Sequence, residues 1–185
     1  MNIFYLDSDI ELCAQYHTDK HVVKMILEYA QLLCTAHRVL DGKEMIELSD
    51  SGRKQKVYKL PEERFDFHLY KATHINHPSA KWVRNSRDNY EFLFTLWINL
   101  LDEYTHRYGK VHKSSRLIDL LSYVPDRIND GIFTPPWRAM PDEYKFDESD
   151  SNYTIKSYRA YYIGQKSHMF KWKNRNIPPW ITDFM

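Results

Sequence analysis

Four clusters of His, Lys, Arg and Tyr stand out in a chain of 185 residues. The first is His17-Thr18-Asp19-Lys20-His21-Val22-Val23-Lys24. Placed on a helix, His17, His21, Lys24 and Glu28 share one face, opposite an apolar stripe, whereas Asp19 and His37 fall inside the stripe. A carboxylate there needs a partner, because an isolated buried charge is very costly. His17 and His21 could move protons, Lys20 and Lys24 could engage phosphate or form an imine, and Asp19 could orient them. The competing reading is a solvated polar face with one buried Asp holding helix contacts. The i,i+4 His pair also has zinc-ligand spacing, but no clear third ligand accompanies it, so no metal is expected.

The second cluster is Thr73-His74-Ile75-Asn76-His77-Pro78, just before a helix start. His74 and His77 would lie among unsatisfied backbone N–H groups, where an anion can bind, with Lys81 and Arg84 one turn onward. Ordinary capping is the equal alternative. The third, residues 106–113, closes a helix with Arg107, Lys110, His112 and Lys113. Cations suit a helix C-terminus, and this density also permits contact with a phosphate backbone. The fourth interleaves Lys156, Arg159, Lys171, Lys173 and Arg175 with Tyr158, Tyr161, Tyr162, Phe170 and Trp172. Phosphates would take the charges and bases would stack on rings such as Tyr158 and Trp172, beside Lys171. The alternative is an aromatic core with a solvated basic rim, because the tyrosines recur at helical spacing.

The elements that would position these groups are mostly helices. Asp7, Ser8 or Asp9 can cap a helix from about 9 to 40, which Asp41-Gly42 ends. Its apolar stripe includes Leu12, Val22, Val23, Ile26, Leu27, Tyr29 and Leu33. Residues 3–6 read as a short strand or a buried arm, and 43–60 as a β-hairpin with strands within 44–59. Pro61-Glu-Glu could open a short helix. A second long helix, about 78–108, starts at Pro78 and stops at Gly109, with Tyr90, Leu93, Trp97 and Leu100 on its apolar face. A shorter helix capped near Ser114 or Ser115 follows, then a Pro-rich ordered loop over 125–150. Asp150 or Ser151 would cap a last helix from about 153 to 170, and Trp180, Ile181 and Phe184 would dock the tail. This describes a mainly α, single-domain fold over 1–185, built on two long packed helices.

Composition narrows the class further. Hydrophobic residues make up 43% and charged residues 28%, which supports a folded core. No apolar run approaches the ~20 residues needed to span a bilayer, and no signal peptide is evident, so the expectation is a cytoplasmic protein with no membrane partner. Cys13 and Cys34 fall in one expected helix, too far apart to bridge, which suits a reducing compartment. The net charge is +1, yet residues 151–185 hold six Lys/Arg and one acid, and 105–118 hold four Lys/Arg and no acid. A basic part and an acidic part are implied.

The motifs MNIFYLD, HTDKHVVKMILE, THINHP and DEYTHRYGKVHKS together resemble a group of uncharacterised proteins common in tailed-phage genomes. That resemblance spans most of the chain and implies phage origin, without an established activity. ELCAQYHTDKH is also similar to the opening of phage pyrimidine-dimer DNA glycosylases of the endonuclease V type, small all-α proteins. Those enzymes use the amine of a small N-terminal residue, a glutamate and arginines. This chain has Asn2, Lys20 and Lys24 there, with Glu28 late, so no catalytic residue is carried over.

The leading expectation is an enzyme acting on nucleic acid or nucleotides, with a glycosylase/lyase-like reaction its most concrete form and no cofactor. One alternative is a non-catalytic protein that binds a nucleotide or occupies a host factor in counter-defence. Another is a metal-dependent hydrolase using His17 and His21. The sequence leaves the oligomeric state open.

Overall fold

A computed structural model describes residues 1–182; Phe184 lies outside the described residues. The chain is mainly helical, with several packed helices and one small antiparallel sheet. Residues 3–6 form a buried arm, not a strand. Helix α1, Ile10–Gln15, starts where the Asp9 carboxylate accepts the Leu12 N–H at 3.0 Å. The expected continuous helix to residue 40 is interrupted at Tyr16–Thr18. Thr18 caps a new helix, α2, spanning Asp19–Asp41, by accepting the His21 N–H.

Strands β1 (Lys43–Leu48) and β2 (Lys54–Lys59) pair antiparallel, with Met45 opposite Val57. Short α3 (Glu63–His68) and α4 (Pro78–Val83) follow. The second expected long helix is also broken, at Arg84–Ser86. Ser86 then caps α5, Arg87–Tyr108, which stops at Gly109 in the left-handed region, φ 62°. A 3-10 turn (Lys113–Leu117) leads into α6 (Ile118–Leu121), capped by His112 and not by Ser114 or Ser115. The 125–150 loop contains one 3-10 turn, Asp142–Tyr144, before α7, Tyr153–Lys166, whose N-cap is Asn152 in place of the expected Asp150 or Ser151. A 3-10 turn (Ser167–Met169) and α8 (Pro179–Thr182) close the described chain.

The long helices α2 and α5 pack together, and all but Trp172 and Ile181 of the buried hydrophobic side chains form one cluster. Trp97 is fully buried at this seam, with its indole N–H donating to the Ile26 carbonyl at 2.9 Å. The stripe expected on α2 was too wide by one edge: Val23 and Leu27 are each 42% exposed, while Val22, Met25, Ile26 and Tyr29 are buried. Cys13 and Cys34 are buried free thiols on different helices. Among the described residues, no helix is long and apolar enough to cross a membrane.

Candidate functional site

The break at Tyr16–Thr18 decides the fate of the first cluster. It takes residue 17 out of the phase of α2, while His21 keeps its place on the α2 face that carries Lys24 and Glu28. The arm at 3–6 and helix α7 then cover both histidines. His17 is fully buried: Nδ1 bonds the Cys13 carbonyl at 2.8 Å and Nε2 the Tyr29 hydroxyl at 3.2 Å. The Tyr29 oxygen also accepts the Phe4 N–H, so its proton goes to His17 Nε2 and the His17 proton sits on Nδ1. His21 stacks on Phe4 at 4.4 Å between ring centroids and bonds the Tyr162 hydroxyl through Nδ1. Burial pushes His17 down to about 4 and His21 down to about 3, so both rings are neutral near pH 7. With both His17 nitrogens engaged and one His21 nitrogen taken by Tyr162, the pair is poorly placed to ligate zinc. Among the described residues no group of three His, Cys, Asp or Glu side chains is arranged to hold a metal.

Asp19 is buried, and its partner is Arg107, at 2.9 Å. Arg107 is itself buried, which corrects the expectation that it contacts polyanions. Its guanidinium also donates to Glu103 at 2.6 Å and to the carbonyls of Gln15 and His17 at 2.8 and 2.9 Å. Glu103 accepts from Arg175 as well, at 2.9 Å. Burial raises the Glu103 carboxyl, but the hydrogen bonds from Arg175 and Arg107 outweigh that and hold it below its ordinary range. The Lys173 N–H donates to Asp19 at 2.9 Å, the Asp19 N–H to the Lys171 carbonyl at 2.8 Å, and the Trp172 indole to the Tyr16 carbonyl at 3.0 Å. The network therefore ties the helix break, α5 and residues 171–175 into one unit. Trp172 and Tyr158 are buried, so neither can stack on a base; Lys171 keeps an exposed side chain.

Lys20, Lys24, Lys110 and Lys113 are exposed. His112 accepts the Ser114 N–H on Nδ1 at 3.1 Å, a cap that requires an unprotonated ring nitrogen, and burial lowers its pKa. His77 does the same for Ser79, at 3.1 Å. The anion site expected at the start of α4 is therefore filled by the histidine itself, and Arg84 donates to the Ile75 carbonyl at 2.7 Å. These two His-x-Ser caps favour the capping reading of both motifs.

What stays open is the surface around them. His77 is lowered by burial first, and then by the positive charges of the chain's N-terminus and His74, against the opposing charge of Glu28. Glu28 also pairs with Lys24 at 3.3 Å, so Lys24, Glu28, His77 and His74 form one neighbourhood. His74 holds a left-handed φ of 48° and contacts the Thr73 hydroxyl through Nδ1 at 2.7 Å. A separate set of residues, Asn76, Pro78, Lys81, Trp82, Asn85 and Trp137, lines a cleft of about 420 Å³.

Trp137 is 60% exposed, yet its backbone is fixed. The Tyr158 hydroxyl donates to its carbonyl at 2.6 Å, and the preceding Pro136 is buried. The cleft floor is equally constrained: the Trp82 indole donates to the Thr134 carbonyl at 3.0 Å, and Asn89 ties Thr134 to the Trp82 carbonyl. On its other side Trp137 borders a smaller cleft of about 170 Å³ with Arg138 and Lys145.

The sequence expectation included Lys81 and missed Trp137, Asn76 and Asn85. The signal was a Trp following Pro135-Pro136, outside any helical stripe. The sequence-flagged clusters do not meet in one place: residues 17–19 join Arg107 in the interior, whereas Lys24, His74, His77 and Lys81 remain at the surface. The chain matches no family model, no curated protein and no solved structure.

Proposed function

We propose that this protein binds nucleic acid or a nucleotide at the Trp137 cleft, with a base stacked on the exposed indole and phosphate facing Lys81. The observation that carries the reading is a large, well-anchored aromatic ring exposed beside two amides and an ammonium group. Base–aromatic stacking contributes about 1–3 kcal/mol per base and tolerates any base, because every base has a π-face. Asn76 and Asn85 can each offer a donor and an acceptor to a base edge. The cleft suits an unstacked base, so a single strand is favoured over a duplex. Titrating a labelled single-stranded oligonucleotide into the wild type and into Trp137→Ala tests this. Weaker binding by the variant with an unchanged fold supports it, and equal binding counts against it.

The enzymatic form of this reading rests on the Lys24–Glu28 pair, an amine and a carboxylate one turn apart on α2. That pairing suits a glycosylase/lyase-like step: the neutral Lys24 amine bonds C1′ as the C1′–base bond breaks and the base leaves with one amine proton, and the C1′–O4′ bond then opens to the imine as Glu28 passes the second proton to O4′. Borohydride would trap that imine as a stable protein–DNA adduct, lost in Lys24→Ala. Absence of any adduct leaves binding without turnover. The resemblance to tailed-phage proteins makes the cytoplasm of an infected cell the fitting setting.

A further inference from the structure

A second cavity, of about 370 Å³, lies between the C-terminal end of α2, the entry to α3 and the loop after α6. His37 reaches it while only 3% exposed. The Tyr90 hydroxyl lies 2.9 Å from His37 Nε2 and 2.9 Å from the Leu121 carbonyl. A carbonyl can only accept, so the single Tyr90 proton goes to Leu121, with the Tyr123 carbonyl a weaker acceptor at 3.3 Å, and the Tyr90 oxygen accepts His37 Nε2–H. That fixes the tautomer and leaves Nδ1 as a bare acceptor. Among the described residues no donor is hydrogen-bonded to it. What faces it is another acceptor, the Asp41 carboxylate, at 4.0 Å. The Tyr123 carbonyl lies beside the ring as a further acceptor.

Asp41 cannot turn away to relieve this, because its two oxygens accept the N–H groups of Asp126 and Arg127, each at 3.0 Å. Two acceptors held at that separation in a buried corner leave room for a shared donor. The surroundings specify its charge. Asp41, Glu62 and Asp126 line the cavity with one cation, Arg64, while the Arg127 guanidinium adjoins it by donating to the Asp41 carbonyl at 3.1 Å. Phe65 and Tyr123, with ring centroids 6.3 Å apart, present aromatic faces that favour a cation and its alkyl chain.

We propose that this cavity binds the ammonium group of a small aliphatic amine, with N–H bonds to His37 Nδ1 and Asp41 and the chain lying along Phe65 and Tyr123. The site is separate from the Trp137 cleft and does not depend on the nucleic-acid reading.

The experiment titrates the full chain with 1,4-diaminobutane and, separately, with the uncharged isostere 1,4-butanediol, using calorimetry and NMR shifts of the His37 and Tyr123 rings. Saturable diamine binding that moves both rings, with no response to the diol, is the expected result. Glu62 and Asp126 are exposed, so the double change Glu62→Gln, Asp126→Asn should preserve the fold and weaken the diamine by about tenfold. Tyr123→Ala should weaken it too. Three outcomes overturn the proposal: no saturable diamine binding, equal binding of the diol, or unchanged affinity in both variants. The first would mean that water alone bridges the two acceptors.

Discussion

Two regions of this molecule draw on similar residue types for opposite purposes. Around the helix break, His17, His21, Asp19, Glu103 and Arg107 are buried, and their charges and three of the four ring nitrogens are engaged by protein groups. On the surface, Asn76, Lys81 and Asn85 line a cleft whose exposed Trp137 ring has no such cover. Residue type and spacing do not separate the two. Spare bonding capacity and solvent access do. A site needs groups still able to bond a ligand, and the interior cluster has spent its own on the fold.

The largest expected effect separates the regions by pH. His17, His21 and His37 are held near 4, 3 and 4 by burial, against 6.5 for a free imidazole. A ring whose folded pKa is depressed binds a proton more readily in the unfolded chain. Its contribution is therefore complete above about pH 6.5 and is lost as pH falls toward the folded value. Between pH 7.5 and 4.5 the three rings together should remove on the order of 7 kcal/mol of stability. Urea unfolding at a series of pH values measures this, and a flat profile would mean that the rings protonate without cost.

A single substitution sharpens the same point. Arg107→Ala leaves the Asp19 carboxylate buried without its guanidinium partner and should cost about 3–5 kcal/mol, seen as a large drop in urea midpoint. A loss below about 1 kcal/mol, typical of an exposed pair, would show that the network is not structural.

The exposed lysines should behave in the opposite way. Changing Lys110 and Lys113 together to Ala should alter stability by no more than about 0.5 kcal/mol. If they contact a single strand, the log–log salt slope of binding should become shallower by about 0.7 per lost contact. An unchanged slope would place polyanion binding elsewhere on the surface.

Much of the framework was legible in the sequence. Asp9, Gly109 and the turn around Gly52 announce a helix start, a helix stop and the hairpin through local chemistry alone. The buried pairing of Asp19 followed from its phase with Val22 and Ile26. The error over His17 came from carrying one helical wheel across Tyr16–Thr18, where Thr18 restarts the helix, and that over His21 from the cover supplied by Phe4 and by Tyr162, a contact across 141 residues. Arg107 reads as a helix-end cation until α5 is seen to pack against that break, a contact across 88 residues that no local pattern encodes. Tyr158 was assigned to base stacking, yet it acts from the interior by bonding the Trp137 carbonyl. Trp137 itself sits in a Pro-rich loop without periodicity, where its exposure depends on how residues 131–140 are stapled to Asn89 and Trp82.

The central claim, that the open surface cleft and not the buried cluster carries function, is tested most directly by comparing oligonucleotide binding of Trp137→Ala with that of the wild type. Both would be titrated with the same labelled single strand at low salt, after unfolding midpoints establish that both are folded. The expected result is a midpoint within about 0.5 kcal/mol of wild type and an affinity about tenfold weaker, the loss of one stacked base. Equal affinity in the two folded proteins, or no binding by either, would contradict the account.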